Sequence, residues 1–589
     1  MVITIAKNMP EYNYHHNSLL TIAVISALLA GVQPLISSAA DWKITPRLNL
    51  KETYSDNVGL SSGGGASGVQ GSDFITEINP GVSVTGTGSH LKLNGSYTMQ
   101  NIFYANNGSR NRIVNQLNAN ANAELLDDLF FVDGRASISQ QNISTFGAQS
   151  TDNININSNR TDVKTYSISP YIRHKFGSFA STEARYTHNS VSSGFGGFSD
   201  SQQDSVDISL TSGSSFKNFG WGFNVNHQTI DYSQRKPVDS NRLSGNVSYA
   251  VIPEVRLTVT GGYENNNFLA SDNTVSTSGK NQAGAFWSAG LTYIVTPEFS
   301  LNAKKGHENN FFLASGGQGG GGGSGGQNAG GDFWTAGFAW NPTQRTSIAA
   351  NIGQRFFGDT YSLTASHHSR RTAWSLAYSE DVTSSRSQFL IPVTIDTAAF
   401  LDQLWSSSIT DPVLRQQFVE AFINNNGLPS SLADSLNFLT NRYFLQKRLQ
   451  ASMSVLGARN TLVFSVFDTR RDAQSGQTMD SQLIGSSNLS LNDNTDQVGV
   501  NATWSYRISP RTNANVSAGY TQSSSHPSNN KTNSTNFRMS INKQFRPKIN
   551  GMLEVRHNEQ SNSASQFGSS QNGNGYGENA VAASLNMTF

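Results

Sequence analysis

Apolar and polar residues alternate along most of the chain with a period of two. This pattern is typical of β-strands that turn one face to an apolar environment and the other to water. Each run is about 9–12 residues long, the length of a tilted strand that crosses an outer membrane. The clearest apolar faces are Leu91, Leu93, Tyr97 and Met99; Trp221, Phe223 and Val225; Leu243, Val247, Tyr249 and Val251; Thr372, Trp374, Leu376 and Tyr378; and Val498, Val500, Ala502, Trp504 and Tyr506.

The connections between these strands also alternate in kind. Short connections carry a turn-forming proline, and an aromatic residue precedes most of them: Tyr249, Tyr293, Trp340, Tyr506 and Phe545. The others are long and rich in Gly, Ser and Asn, as in residues 59–73, 141–162, 265–283, 308–331 and 559–577. Short turns on one side and long loops on the other predict an all-β fold, a transmembrane antiparallel β-barrel with the short side in the periplasm. We expect about 24 strands, within a range of roughly 20–26, between Trp42 and Phe589.

One segment is duplicated within the chain. The stretch from Gly262 to Ser271 recurs from Gly306 to Ser315, and Phe286-Trp287 recurs as Phe333-Trp334. The spacing corresponds to one hairpin plus a long loop, so we expect a duplicated hairpin. A β-propeller blade of similar length is the competing interpretation.

Composition narrows the class of protein. Only 36% of residues are hydrophobic, yet 33 Phe, 18 Tyr and 8 Trp are present, which a disordered chain would lack. A net charge of +1 gives no reason to expect a nucleic-acid partner. The absence of cysteine excludes disulfides and thiolate metal sites.

The N-terminal segment has the pattern of a secretory signal. An apolar run from Leu19 to Ala30 is too short to cross a bilayer as a helix, and small residues follow it up to Ala40. We therefore predict a signal peptide over residues 1–40 and a barrel over residues 41–589, with outer-membrane lipid as a partner. No later stretch reaches the apolar length of a transmembrane helix, so a closed barrel is the remaining way to span lipid.

The chain ends on an alternating strand. Val581, Ala583, Leu585, Met587 and Phe589 fall on one face, and the terminal residue is the Phe. This resembles the C-terminal signal that barrel-assembly machinery recognises, so that machinery is an expected partner.

One insert breaks the strand pattern. Within residues 386–444, Asp411-Pro412 can begin a helix, and Leu414, Phe418 and Phe422 follow at helical spacing. An insert of this size cannot lie in the barrel wall. It could constrict the lumen, cap the mouth or dock a partner, and Leu414, Phe418 and Phe422 are the expected constriction residues; an excursion without a specific role is equally open.

A search for catalytic and cofactor-binding chemistry finds no set above chance, so we predict no enzyme activity, cofactor or metal site. His367-His368 has no carboxylate at ligand spacing. The loop from Asp152 to Asn157 superficially resembles a calcium loop but lacks its Gly and terminal Glu, which favours a plain polar loop. His188 near Ser190 and His227 near Asp231 are the nearest approach to a hydrolase at the barrel rim.

The predicted inward face is the informative surface. It is mainly Asn, Ser, Thr, Gln and Gly with scattered charges, and such a lumen can exchange hydrogen bonds with a sugar polymer without trapping it. Any porin lumen would share much of this composition.

The chain resembles the outer-membrane proteins encoded with exosortase/PEP-CTERM exopolysaccharide systems. The resemblance rests on the segment from Leu48 to Leu60, above all Tyr54, Ser55, Asp56, Asn57 and Val58, together with aromatic-Pro turns, an insert and a terminal Phe. It implies a barrel that takes part in exopolysaccharide export, with polysaccharide and periplasmic export components as partners and no catalytic residues. A general diffusion porin is the alternative, and a rim hydrolase is a third. A TonB-dependent transporter is disfavoured, because a strand beginning at Trp42 leaves no room for a plug domain.

Overall fold

The computed structural model describes residues 40–61, 71–150, 152–196, 198–233, 235–268, 282–309, 331–390, 401–402, 415, 419, 439, 443–473, 494–526, 530–562 and 575–589. The predicted signal peptide, apart from Ala40, lies outside this part of the chain.

Twenty-four antiparallel strands form one closed sheet. Each strand pairs with the next along the chain, and β24 pairs back onto β1, which closes the barrel. This confirms the predicted fold and strand number, and the single sheet shows that the propeller interpretation is wrong. The strands are β1 Ala40–Ser55, β2 Asp73–Gly88, β3 Leu91–Tyr104, β4 Arg112–Leu126, β5 Phe130–Asn142, β6 Arg160–Phe176, β7 Ala180–Ser193, β8 Ser201–Ser212, β9 Phe219–Tyr232, β10 Arg235–Ile252, β11 Val255–Phe268, β12 Gln282–Thr296, β13 Phe299–Glu308, β14 Gly331–Thr343, β15 Thr346–Arg355, β16 Gly358–His368, β17 Thr372–Ser384, β18 Tyr443–Leu456, β19 Asn460–Ala473, β20 Asn494–Ser509, β21 Thr512–Ser525, β22 Lys531–Arg546, β23 Ile549–Asn562 and β24 Tyr576–Thr588.

The two faces of the sheet have opposite chemistry. In β20 the apolar residues Val498 and Trp504 are more than 40% exposed, whereas Gln497 and Thr503, the residues directly before them, are buried. The same inversion holds around the ring, because apolar side chains point outwards to lipid and polar side chains point inwards. A closed sheet leaves no unpaired strand edge in the hydrocarbon, which is the condition that lipid sets for a spanning β structure. The chain is therefore an outer-membrane β-barrel of a Gram-negative bacterium.

The connections follow the predicted asymmetry with two exceptions. The turns that follow the even-numbered strands, from β2–β3 to β22–β23, are short. The aromatic residues before the proline turns lie on the outward face at that end of the barrel, where the interfacial girdle belongs. On the opposite side most connections are long, but β9–β10 and β15–β16 are joined by only two residues. The rim on the long-loop side is therefore uneven in height.

The insert between β17 and β18 begins with a helix inside the described residues. This helix, α1, spans Ser385–Leu390 directly after β17. Farther on, Arg415 and Val419 are helical, and the Nε atom of Arg415 lies 2.7 Å from Oδ1 of Asp402. Across the residues that the structure describes, no helix has the length and apolar character needed to cross a membrane.

Candidate functional site

The loop between β5 and β6 folds into the barrel. We call residues 143–150 and 152–159 the inner loop. Its Ile154 is fully buried and packs in a cluster with Val58, Ile75, Ile102, Tyr104 and Val114. The strand members of this cluster lie on the inward face of β2, β3 and β4, opposite outward neighbours such as Phe74 and Phe103. The hydroxyl of Tyr104 also donates a 2.7 Å hydrogen bond to the carbonyl oxygen of Ile154. The inner loop therefore lies within the lumen, against its wall.

A network of buried charges fixes the inner loop to the strands at which the barrel closes. The carboxylate of Asp152 lies 2.9 Å from Nζ of Lys51 on β1 and 2.6 Å from Nη1 of Arg556 on β23. Lys51 also pairs with Glu77 on β2 at 3.0 Å, and Arg556 pairs with Glu578 on β24 at 3.1 Å. Burying single charges is costly, and a set that is mutually paired avoids most of that cost. The wall supplies one carboxylate for each of the two cations, and Asp152 of the inner loop adds a third that contacts both cations.

The pKa of Asp152 reflects this position. Burial by itself would raise the pKa of the carboxyl group, but the adjacent cations Lys51 and Arg556 hold it well below its usual range. The side chain is therefore ionised throughout the neutral and mildly acidic range.

Hydrogen bonds from neighbouring strands hold the rest of the inner loop. Arg112 on β4 donates from Nη2 to the carbonyl oxygens of Asn153 and Asn155, at 2.5 and 2.7 Å. Gln560 on β23 accepts from the backbone N–H of Gln149 at 2.9 Å and donates to the carbonyl oxygen of Gly147 at 3.0 Å. A loop held by both side-chain and backbone contacts on several strands has one defined position in the lumen.

The segment that carries the family resemblance lies at the same place. Ser55 is buried and donates a 2.7 Å hydrogen bond to Glu578, and Asp56 accepts from the backbone and side-chain N–H groups of Asn579 at 2.7 and 2.8 Å. Val58 belongs to the cluster around Ile154, and its carbonyl oxygen accepts from the N–H of Ile156 at 2.8 Å.

The remaining two residues of the motif have local roles. Asn57 donates to the carbonyl oxygens of Ser61 and Gly577, both at 2.9 Å, whereas Tyr54 faces outwards against Phe74 with ring centroids 4.9 Å apart. Ser55, Asp56 and Asn57 thus join the end of β1 to β24, and Val58 contacts the inner loop.

Helix α1 bridges two walls of the barrel. The strands β6–β8 and β17–β18 lie nearly opposite each other in the 24-strand ring. On one side Gln388 donates from Nε2 to Oε1 of Gln446 on β18 at 2.5 Å, and on the other Arg386 donates from Nε to Oγ of Ser201 on β8 at 2.9 Å. A six-residue helix is about 9 Å long, so these walls approach closely here and the lumen is narrow.

An apolar cluster supports this crossing. Val163 on β6, Val191 on β7, Phe198 and Leu439 are buried together, and Phe389 of α1 packs against them with its ring centroid 6.3 Å from that of Phe198. The backbone N–H of Leu439 reaches the carbonyl oxygen of Ile143 at 3.3 Å, so the insert also contacts the inner loop. The inner loop and the insert are therefore in contact inside the barrel.

A cavity of about 280 Å³ remains between the inner loop and the wall. Its lining includes Arg112, Arg160 and Asp162 from the strands and Asn153 and Asn155 from the loop. It is smaller than the pockets that normally enclose a drug-sized ligand.

The other residues singled out from the sequence are placed as follows. Val581, Ala583, Leu585 and Met587 share the outward face of β24. Phe589, directly after this strand, is 63% exposed, and its N–H donates to the carbonyl oxygen of Pro46 at 3.0 Å. Recognition of this strand by assembly machinery stays a prediction. The expected constriction residues Leu414, Phe418 and Phe422 lie outside the described residues.

The histidines noted at the rim have partners other than those suggested by the sequence. Nδ1 of His188 lies 2.8 Å from Asp204, and its Nε2 lies 3.4 Å from the hydroxyl of Tyr166 rather than facing a serine. Nδ1 of His227 lies 2.7 Å from Asn241. His367 contacts Thr346 at 2.8 Å. In the described ranges no group of three or more His, Cys, Asp or Glu side chains could hold a metal ion.

The role of the inner loop is the feature that sequence reasoning missed. The stretch from Asp152 to Asn157 was expected to be a plain polar loop, and the structure seats it inside the barrel. Ile154 and Ile156 were the available signal, because two apolar residues in an Asn-rich loop indicate that the loop packs against something.

Comparison with known proteins gives only distant likeness. No protein-family model matches the chain, and no curated protein matches it. Among solved structures, the FrpB iron transporter of Neisseria meningitidis is 10% identical with a TM-score of 0.42, covering 95% of this chain and 84% of the other. The siderophore receptor PirA of Pseudomonas aeruginosa is 8% identical with a TM-score of 0.34, covering 93% and 80%. Likeness at such low identity and TM-score gives no information about the ligand or activity of this chain.

Proposed function

We propose that this barrel is a gated outer-membrane channel that takes part in exopolysaccharide export. The observation that carries the proposal is the inner loop, which is held inside the lumen by Asp152 between Lys51 and Arg556. A barrel of this width needs an internal element to prevent leakage, and a loop held by non-covalent contacts alone can be displaced by a polymer or a partner.

Three further features support export of a sugar polymer. The inward face is dominated by hydroxyl and amide side chains, and those that remain partly exposed include Thr292, Asn302, Asn351 and Ser362. Such groups exchange hydrogen bonds with sugar hydroxyls without selecting an ion. Lys51, Asp152 and Arg556 beside the inner loop are paired with each other. The motif Tyr54–Val58, which resembles exopolysaccharide-system proteins, contacts that loop through Val58.

Deletion of the gene tests the export role. We expect polymer to accumulate in the periplasm of the deletion strain and to return to the cell surface when the wild-type gene is restored. Normal surface polymer in the deletion strain would contradict export.

A general diffusion porin is the second candidate, because Arg112, Arg160 and Asp162 place opposite charges around the residual cavity, as a selective constriction would. Planar-bilayer recordings separate the two functions. A gated exporter is closed or flickers at rest, whereas a porin shows a large and constant conductance.

A further inference from the structure

The duplicated segment forms two equivalent hairpins in the barrel wall. The first copy is β11–β12 and the second is β13–β14. In the first, Phe286 lies directly across from Gly262; in the second, Phe333 lies directly across from Gly306. The next residue in each copy, Trp287 or Trp334, is about half exposed on the outward face. Because neighbouring residues of a strand point to opposite faces, both phenylalanines point into the lumen.

Each phenylalanine has the same kind of charged surroundings. The guanidinium carbon of Arg242 lies 4.4 Å from the ring centroid of Phe286, and Nζ of Lys304 lies 5.4 Å from that of Phe333. The repeat also places one glutamate beside each ring. Glu264 pairs with Arg242 at 3.6 Å, and Glu308 pairs with Arg355 at 3.1 Å.

The glycine across from Phe286 is required by close approach. A Cβ atom added at Gly262 would lie 2.3 Å from Cζ of Phe286, so the ring rests against the backbone of the neighbouring strand. The ring is only half-buried in this position. Arg242 covers one side of this ring, and the part that stays exposed to the lumen loses hydrophobic stabilisation unless something covers it.

The chemistry of these positions suits an uncharged sugar. The apolar C–H face of a pyranose ring can cover an aromatic ring, and guanidinium and carboxylate groups beside it can bind vicinal hydroxyls. Both glutamates are already paired with arginine, so no free carboxylate remains to select a cation. Lys304, which has no carboxylate partner among the described residues, lies against the ring of Phe333. These properties point to a neutral hexose chain.

The spacing of the two rings suits a chain rather than a single sugar. Phe286 and Phe333 stand two strands apart, and the register places Phe333 level with Ser288, two residues below Phe286. From strand spacing and rise, their backbones are roughly 12 Å apart along a diagonal of the wall. That is comparable to the length of a short oligosaccharide.

We infer that the duplicated hairpins form two successive subsites for a neutral hexose polymer, one at Phe286 and one at Phe333, near the long-loop end of the lumen. This inference rests on the proposed function, since it names the class of polymer that the channel would carry. Duplication of the hairpin then adds a second point of contact along the same chain, and two weak contacts hold a polymer while letting it slide.

The test is calorimetric titration of the full chain in lipid nanodiscs with glucose, maltohexaose and cellohexaose. We expect at least one hexasaccharide to bind far more tightly than glucose. Phe286→Ala and Phe333→Ala should each weaken that binding about tenfold and reduce the dependence on chain length. Phe338→Ala is the matched control, because Phe338 lies on β14 with its side chain on the outward face, where it pairs in register with Leu301. The affinity of the Phe338→Ala variant for the hexasaccharides should equal that of the wild type.

Two results would overturn the subsites. One is failure of the wild-type protein to bind either hexasaccharide. The other is unchanged affinity in both lumenal variants when heat-modifiable gel mobility shows them to be folded. The export role fails separately: if the two lumenal variants lose binding as expected while the deletion strain still displays surface polymer, the subsites stand and export is wrong.

Discussion

Asp152 and Arg556 are separated by 404 residues in the chain and joined by a 2.6 Å ion pair inside the barrel. The first residue lies in a loop and the second in the wall near the closing strand. The pair therefore joins the loop between β5 and β6 to a strand that lies one place from the junction at which the barrel closes. If it holds the inner loop in place, its removal should open the channel.

Asp152→Asn is expected to release the inner loop. The substitution leaves Lys51 and Arg556 with one anion fewer, and truncating one partner of a buried ion pair typically costs roughly 3–5 kcal/mol. Single-channel recordings in planar bilayers should show a rise from a closed or flickering state to a sustained conductance. Asp127→Asn is the control, because the side chain of Asp127 is 88% exposed at a short turn. Equal conductance of the two variants would contradict the role of Asp152.

The conductance should depend on pH in a defined direction. Because the folded pKa of Asp152 is well below its usual value, the docked state gains stability that is present above about pH 4, the ordinary pKa of an aspartate. That stability is lost only as the pH falls through the depressed folded pKa. We expect wild-type conductance to stay low from pH 7 to about pH 5 and to rise only in stronger acid. Opening near pH 6 would be incompatible with Asp152 as the controlling group.

The stability of the junction between β1 and β24 should depend on Asp56. Nine residue pairs join β1 to β24, compared with 16 between β1 and β2. The β1–β24 pairing, which we call the closing seam, is therefore the shorter of the two. Asp56 extends it with two hydrogen bonds to Asn579. Asp56→Ala should lower stability by about 1–3 kcal/mol, because charge-assisted hydrogen bonds are lost at a strand end.

The measurement for Asp56→Ala is the temperature at which the folded band disappears in a heat-modifiable gel. Thr76→Ala serves as the control, since Thr76 makes a single exposed contact to Glu52 on the other edge of β1. An unchanged transition in Asp56→Ala would show that the strand ladder alone secures the seam.

The barrel could be predicted from the sequence because the period-two pattern of each strand is a local property of the chain. Val498 and Trp504 differ in position by an even number of residues, so a strand must place both on one face, whatever the rest of the chain does. The same local information predicted the aromatic residues at the turns and the duplicated hairpin. The uneven rim at β9–β10 and β15–β16 was missed because a turn of two residues carries little composition to recognise.

The inner loop and the crossing of α1 could not be predicted in the same way. Asp152 finds Lys51 and Arg556 only after the sheet has closed, and no spacing in the sequence links the three residues. Arg386 likewise meets Ser201 only because two nearly opposite walls approach each other. Contacts of this kind depend on the tertiary arrangement, whereas strand periodicity does not.

The central claim is that the inner loop closes the channel and must move for transport. The chain has no cysteine, so a single engineered pair can lock the loop: Gln100→Cys on β3 with Asn153→Cys on the loop, whose side chains are joined by a 2.5 Å hydrogen bond from Asn153 to Gln100. Both residues are uncharged, so the ion-pair network stays intact. Surface polymer should be measured in cells carrying this double variant, crosslinked with a short bis-methanethiosulfonate that forms one disulfide with each cysteine, beside each single cysteine variant. We predict that crosslinking stops export and that reduction of the two disulfides restores it. Normal export by fully crosslinked protein would contradict this claim.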